Sequence, residues 1–309
     1  MEAVSAPLLI GIVGPTASGK SALGLRLARA AGGEIVSCDS LQVYRGLDVG
    51  SAKPTREERA LVPHHLVDVI GPDEPFTAAE YARRARAAIA GIAARGRVPL
   101  VVGGSGLYLR ALLSGLFAGP SRDDALRARL ERIAARKGDA RLHGLLRRVD
   151  PEAAARIEVR DRVRVVRALE VFRATGRPLS LHHRAGADAL TGFDVRLLGL
   201  NPPREALRAA VERRTDAMLA GGLLEETRAL LAAHPGGLAP LNAIGYRQAV
   251  AVARGEREVA AARRDMVKET MRYAKRQMTW FRHQARVEWC ATADEAYARA
   301  ASWLALPPA

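Results

Sequence analysis

Leu8-Leu9-Ile10-Gly11-Ile12-Val13-Gly14-Pro15-Thr16-Ala17-Ser18-Gly19-Lys20-Ser21 decides the reading of this chain. An apolar run ends on a glycine, and Gly14 to Ser21 then satisfies G-x-x-x-x-G-K-[ST], the spacing of a phosphate-cradling loop between a strand and a helix. The glycines let backbone N–H groups turn toward one anion, and the helix start adds its dipole. Lys20 supplies a point charge, and the Ser21 hydroxyl can reach Mg²⁺. Gly14, Pro15, Thr16, Ala17, Ser18, Gly19, Lys20 and Ser21 are therefore the candidate diphosphate or nucleotide contacts.

Outward from that loop, Ser21 to Ala31 has helical periodicity and stops at Gly32-Gly33. Glu34 to Cys38 reads as a second strand ending in Asp39-Ser40, and Val98 to Val102 as a third closing on Gly103-Gly104-Ser105-Gly106. Thr77 to Arg95 between them is an Ala/Arg helix with Thr77 as N-cap. Strands alternating with helices predict an α/β fold, a parallel sheet with helices on both faces. From Arg122 to about Ala174 the texture turns to Arg, Ala and Leu at helical spacing, and Leu179 to Thr191 reads as a loop. Phe193 to Leu200 is strand-like again, and Arg204 to Ala233 and Glu258 to Arg286 are helical. The expected organisation is a P-loop NTPase-like core in 1–119, a helical insertion in 120–191, and core completion with basic helices in 192–309.

The 309 residues are enough for one large or two modest domains, and 49% hydrophobic with 26% charged residues is ordinary for a globular protein. No run of about 18 uncharged apolar residues is present to span a bilayer. The start, Met1-Glu2-Ala3-Val4, has no basic region ahead of the first strand, and Cys38 and Cys290 lack metal-ligand or disulfide-framework spacing. A cytoplasmic location with reduced thiols is the expectation. The net charge of +15 is unevenly placed: 121–187 carry 17 Arg or Lys against 9 Asp or Glu, and 241–289 carry 11 against 5. Those segments suit a polyanionic partner, with Arg-rich solvated helix faces as the other reading.

A phosphate loop names an anion and not a reaction. Asp39, at the end of the second strand, puts a carboxylate at the carboxyl edge of the sheet, where open α/β folds bind ligands; it suits a general base, a Mg²⁺ partner or a simple turn residue. Gly103 to Tyr108 offers a hydroxyl-bearing turn beside it, or a plain strand-to-helix connection. His64 and His65 lack companions for a zinc site.

In combination, Gly14 to Ser21, Asp39-Ser40-Leu41-Gln42-Val43-Tyr44, Gly50-Ser51-Ala52-Lys53-Pro54-Thr55, His64 to Asp68 and Val102 to Tyr108 occur in the order that resembles tRNA dimethylallyltransferases. So do Asp161 to Val171, Leu241 to Gln248, and Thr270 to Arg282 (TMRYAKRQMTWFR), and the resemblance covers residues 8 to about 289. It implies transfer of a dimethylallyl group from dimethylallyl diphosphate to N6 of the adenosine 3′ of a tRNA anticodon (position 37), with pyrophosphate leaving and Mg²⁺ as cofactor. Ending at Ala309 without the zinc finger of eukaryotic members, the chain resembles the bacterial type and is expected to act as a monomer.

By the same resemblance Asp39 is the base that removes a proton from the amine. Ser105 stands where the family commonly has Thr and keeps the hydroxyl, and Lys20, with Ser21 reaching Mg²⁺, neutralises the leaving diphosphate. Arg214 matches a family diphosphate contact, with Arg213 as the alternative. Lys53-Pro54-Thr55 reads as a loop near the diphosphate or a plain turn. The tRNA anticodon stem-loop, whose target base must be unstacked, is expected on Asp39, Ser40, Leu41 and Gln42, on Val163, Arg164, Val165, Val166 and Arg167, and on Gly245, Tyr246, Arg247 and Gln248. Lys275, Arg276, Gln277, Trp280 and Arg282 complete that surface, and of the adjacent Trp280 and Phe281 one belongs in the core. A small-molecule P-loop kinase explains the loop and Asp39 but not the charge. An ATP-switched RNA-binding protein explains the charge but not Asp39 and the Gly103 to Tyr108 turn.

Overall fold

The computed structural model describes residues 6–117, 119–120, 122–184 and 188–306. The chain divides into two compact units, Met1–Leu113 with Leu190–Ala309, and Ser114–Ala189. The helical excursion expected at 120–191 thus corresponds to a unit that opens earlier, because the segment leading into its first Arg-rich helix already belongs to it.

In the larger unit the described residues form one six-stranded sheet: β1 (Leu8–Val13), β2 (Glu34–Cys38), β3 (His64–His65), β4 (Pro99–Gly103), β5 (Asp194–Leu200) and β6 (Glu288–Cys290). They lie in the order β3-β2-β4-β1-β5-β6, and every pairing is parallel. Strands covered on both faces need apolar residues at successive positions, and β1 is buried from Leu9 to Val13. Its alternation sends Ile10 and Ile12 to one side, against Leu23 and Leu27 of the Lys20–Ala31 helix and Ala296 and Ala300 of the Ala293–Trp303 helix. Leu9 and Val13 face the other side, against Tyr81, Ala85 and Ile89 of the Ala78–Ala94 helix and Phe281 of the Val259–Gln284 helix. Thr77 caps the third of these, its hydroxyl accepting the Glu80 N–H at 3.1 Å.

The register sets the site. Ile12 lies opposite Val102, Cys38 opposite Gly103, and Val13 opposite Gly199, so β1, β2, β4 and β5 all end at one edge. The turns that follow them converge there.

Two expectations change. Arg204 to Ala233 is not one helix: Arg204–Ala220 and Leu223–Ala233 are separated by Gly221-Gly222, and Gly222 takes φ +95°, a conformation open to glycine at no steric cost. Leu179 to Thr191, read as a loop, begins with the helix Leu179–Arg184. Its order comes from tertiary partners that local periodicity does not reveal: the Asp150 carboxylate accepts the Ser180 N–H at 2.9 Å, and Leu179 is buried in the core of its unit.

In the smaller unit the helix Arg162–Thr175 is central. Its Val165 and Val166 are buried among Leu142, Leu146 and Leu169, and its fully buried Glu170 ties it to the start of the Asp124–Lys137 helix. The carboxylate accepts from Arg127 at 2.8 and 2.9 Å, from Arg167 at 2.6 Å and from the Asp123 N–H at 2.9 Å. Burial alone would raise its pKa, but Arg127, the Asp123 amide and Arg167 together hold it at about 2. Of the residues expected on tRNA, Val165 and Val166 are core, and the half-exposed Arg167 is paired with Glu170. Val163 and Arg164 on the same helix remain exposed.

Removing a carboxylate that pairs with two guanidinium groups leaves charge uncompensated. Glu170→Ala is therefore expected to destabilise the Ser114–Ala189 unit by about 3–5 kcal/mol, read as loss of amide-exchange protection confined to its helices. Because the folded pKa of about 2 lies below the ordinary value of 4.5, this contribution is complete above pH 4.5 and fades as the pH falls toward 2. Exchange measured down that range in the wild type should show the same unit loosening.

Candidate active site

Gly14 leaves β1 at φ +139°, and a Cβ there would lie 2.5 Å from the Leu200 carbonyl oxygen on the neighbouring strand, so backbone shape and close approach both require glycine. Ala17 follows at φ +63° and Gly19 at φ +91°. Gly19 caps the Lys20–Ala31 helix with no side-chain hydrogen bond to the first-turn amides, which leaves those donors to an anion. The Ser18 hydroxyl is buried without a hydrogen-bond partner among the described residues. An orphaned donor inside a loop of this shape fits a phosphate oxygen. Ser21 is exposed on the first helical turn.

The Lys20 ammonium donates to the Pro15 carbonyl at 2.5 Å. Its pKa is pushed down to about 7, first by burial and then by the Arg214 guanidinium, against an upward pull from Asp39. Lys20 is thus poised to gain charge when a diphosphate arrives.

Next to this loop is a cleft of about 340 Å³ whose lining includes Thr16, Asp39, Ser40, Arg214, Gly245, Tyr273 and Arg276. Asp39 Oδ1 accepts the Leu41 N–H at 2.8 Å and the Gln42 N–H at 3.4 Å, an Asx turn that orients the carboxylate at the end of β2. Arg214 donates to the Thr16 hydroxyl at 3.2 Å; burial lowers its pKa while Asp39 opposes the shift. Arg213, the alternative contact, points to solvent. The Tyr273 hydroxyl is pushed up to about 12, by burial and then by Asp39. Leu41, Val211, Met218, Ile244 and Met266 supply an apolar wall. The cleft thus joins a cationic end, a carboxylate and a hydrocarbon surface.

Ser105, half-buried, lies one strand over. Its N–H donates to the Cys38 carbonyl at 3.2 Å, beside the residue preceding Asp39. Arg276, Lys275 and Arg282 are exposed on the Val259–Gln284 helix. Gly245, at φ +98°, opens the Tyr246–Ala253 helix at the cleft wall. Phe281 is the core member of its pair and Trp280 is half-buried, its ring where a Cβ on Gly106 would sit 2.4 Å away.

Several residues expected on tRNA have other partners. Gln42 faces inward, its Oε1 accepting from the Ser37 hydroxyl at 2.8 Å and its Nε2 donating to the Ala52 carbonyl at 3.1 Å. Tyr246 is fully buried and donates to Glu226 at 2.6 Å. Gln248 is buried and accepts the Gly245 N–H at 2.9 Å. Gln277 is buried as well, and Arg247 pairs with Glu269. Lys53, read as near the diphosphate, is a structural cation: its ammonium donates to the Tyr44 carbonyl at 2.6 Å, to Asp48 at 2.5 Å and to Asp68 at 2.6 Å. His64 bonds the Val62 carbonyl and His65 the Glu34 carboxylate, each at 2.7 Å.

Glu226 went unnoticed in the sequence. Its carboxylate accepts the N–H groups of Asp48 and Val49 at 2.8 Å and of Gly50 at 3.2 Å, in addition to the Tyr246 hydroxyl. It locks the 48–50 loop to the helix that follows Gly245. A helical Glu far away in sequence carries no local signal of such a task.

Fold and site define a P-loop α/β protein whose anion cradle opens onto a carboxylate-bearing, partly apolar cleft. The family model described as IPP transferase matches residues 42–284, and the chain belongs to that family. A tRNA dimethylallyltransferase of Anaeromyxobacter sp. is 54% identical over 283 residues, covering 92% of this chain and 94% of the relative. The full-length tRNA isopentenylpyrophosphate transferase of Bacillus halodurans is 36% identical with a TM-score of 0.70, covering 96% of this chain and 97% of that one. A eukaryotic dimethylallyltransferase acting on tRNA is 26% identical with a TM-score of 0.77, covering 97% and 78%.

The depressed Lys20 pKa has a calorimetric signature. Pyrophosphate binding to the wild type at pH 8 is expected to take up about one proton more than binding to Lys20→Arg, whose side chain is always charged. Heats measured in buffers of different ionisation enthalpy give the difference; equal uptake would show that Lys20 is already charged in the free protein.

Proposed function

We propose that this chain transfers the dimethylallyl group of dimethylallyl diphosphate to N6 of the adenosine 3′ of a tRNA anticodon, at position 37, releasing pyrophosphate. The observation that carries the proposal is the juxtaposition of Asp39 with the Thr16–Arg214 end of the P-loop in one cleft. An exocyclic adenine amine is a poor nucleophile until it loses a proton, and its electrophile carries a diphosphate leaving group; the cleft offers a carboxylate for the first and cations for the second.

In this reading the P-loop amides, Lys20 and Arg214 bind the diphosphate. As the N6–C1 bond forms and the C1–O bond breaks, Asp39 accepts the N6 proton through the oxygen its Asx turn leaves to the cleft. The buildup of charge on the departing pyrophosphate meets fixed donors, with no reorganisation at the moment of reaction. The apolar wall of Leu41, Val211, Met218, Ile244 and Met266 suits the five-carbon chain and keeps water from the reacting carbon.

Mg²⁺ fits the chemistry of the donor set. The described residues contain no cluster of His, Cys, Asp and Glu able to hold a metal on its own, so Ser21 would hold it together with oxygens of the diphosphate, the usual manner for this ion. When bound it would neutralise leaving-group charge. No helix among the described residues is long and apolar enough to cross a membrane.

The test is incorporation of labelled dimethylallyl, with Mg²⁺, into unmodified tRNA bearing adenosine 37. Loss of incorporation when that base is guanosine would support donor, acceptor and reaction together, and ATP-dependent phosphorylation of a small molecule without incorporation would refute the reading. Asn preserves the acceptor that holds the Asx turn, so Asp39→Asn is expected to lower turnover by about 10²-fold or more while leaving tRNA affinity intact; equal loss of both would remove Asp39 from the role of base. Arg276→Ala with Arg282→Ala should weaken tRNA binding and reduce its salt slope by about two, without changing pyrophosphate affinity. An unchanged slope would take these arginines off the RNA.

A further inference from the structure

We propose that Gln277 is a positioning residue: its buried side-chain amide pins the P-loop to the turn after β4, and so fixes the donor site to the helix whose exposed face carries the tRNA contacts of the proposed function. The inference rests on that function for its acceptor arm only.

Gln277 is 6% exposed, and its amide makes two hydrogen bonds in opposite senses. Oε1 accepts the Thr16 N–H at 2.9 Å, and Nε2 donates to the Gly104 carbonyl at 2.9 Å. A backbone N–H can only donate and a carbonyl only accept, so the side chain must offer one acceptor and one donor at its tip. Glutamate offers only acceptors when ionised, and methionine, of similar length, offers neither strong donor nor strong acceptor. The residue type is therefore set by the two loops it joins.

The surroundings are built for this contact. A Cβ on Gly104 would fall 2.3 Å from Gln277 Nε2, and one on Gly106 would fall 2.4 Å from the Trp280 ring. Gly104 and Gly106 thus let the helix come close. One turn before Gln277 on the same helix, Tyr273 lines the cleft together with Thr16 and Asp39. Thr16 is thus held twice, its backbone by Gln277 and its hydroxyl by Arg214. The exposed Lys275, Arg276 and Arg282 share the helix with a side chain that grips the P-loop, so RNA engaged on the outer face is referred to the donor by a rigid element and one amide. A displacement of about 1 Å between reacting groups is enough to cost 10²-fold in rate.

The experiment compares Gln277→Met, Gly104→Ala and the double variant, each checked for cooperative unfolding. Both single changes break the Gln277–Gly104 contact, one by removing the amide and the other by occupying its place. Each is expected to lower kcat of dimethylallyl transfer by about tenfold or more and to weaken inorganic pyrophosphate severalfold, with tRNA affinity unchanged within about twofold. The double variant should lose little beyond either single one, since both act on the same contact.

Lower melting temperature with unchanged kcat and pyrophosphate affinity would overturn the proposal, as would weakened tRNA binding as the sole effect, or fully additive losses. Should Gln277→Met not fold, Gly104→Ala alone decides by the same readouts. If the wild type transfers no dimethylallyl group, the proposed function fails separately, and pyrophosphate affinity still judges the pinning.

Discussion

Everything at the site hangs on the exit of β1. Gly14 lies against the Leu200 carbonyl at φ +139°, a conformation that glycine takes freely and side-chain-bearing residues rarely adopt. That geometry allows a buried central strand to turn directly into a helix start. Because the sheet is parallel, the exits of β2 and β4 reach the same edge, and Asp39 and the Gly103–Ser105 turn arrive beside the phosphate loop without long connections. The favourable anion environment and the carboxylate are consequences of one register.

Charge in the cleft is kept apart by position. Burial disfavours the charged forms of both Lys20 and Arg214, and the Arg214 guanidinium disfavours charge on Lys20 further. Asp39 offsets part of this without an ion pair that would quench it, since its bound oxygen takes backbone N–H groups. Desolvated basic groups awaiting an anion are less stable than a neutral core. Such cost is the ordinary signature of a binding site, and is relieved when the anion enters.

The outer loops are rigid by different means. Lys53 with Asp48 and Asp68, and Glu226 with three backbone N–H groups and Tyr246, hold the segment after Asp39. In the Ser114–Ala189 unit, Glu170 does the same for Arg127 and Arg167. In each case a buried or half-buried ion organises chain segments distant in sequence. Among them Lys53, Tyr246 and Arg167 are residues whose family motifs invited a ligand role.

The central strand, the phosphate loop, the parallel α/β alternation and Asp39 at a strand end were legible from the sequence, because each depends on local rules: apolar runs, glycine spacing and helix caps act within a few residues. The charge asymmetry was equally open to view, since composition alone displays it. Side-chain direction was not. Gln42, Tyr246, Gln248 and Gln277 carry the polar character of RNA contacts, yet their hydrogen-bond partners lie up to 261 positions away, and Val165 and Val166 differ from the exposed Val163 only by their place around one helix. Glu226 had no local signal at all. Which polar groups bind the fold and which remain for a ligand is settled by burial and by the pairing of backbone donors, and those exist only once the distant segments have met.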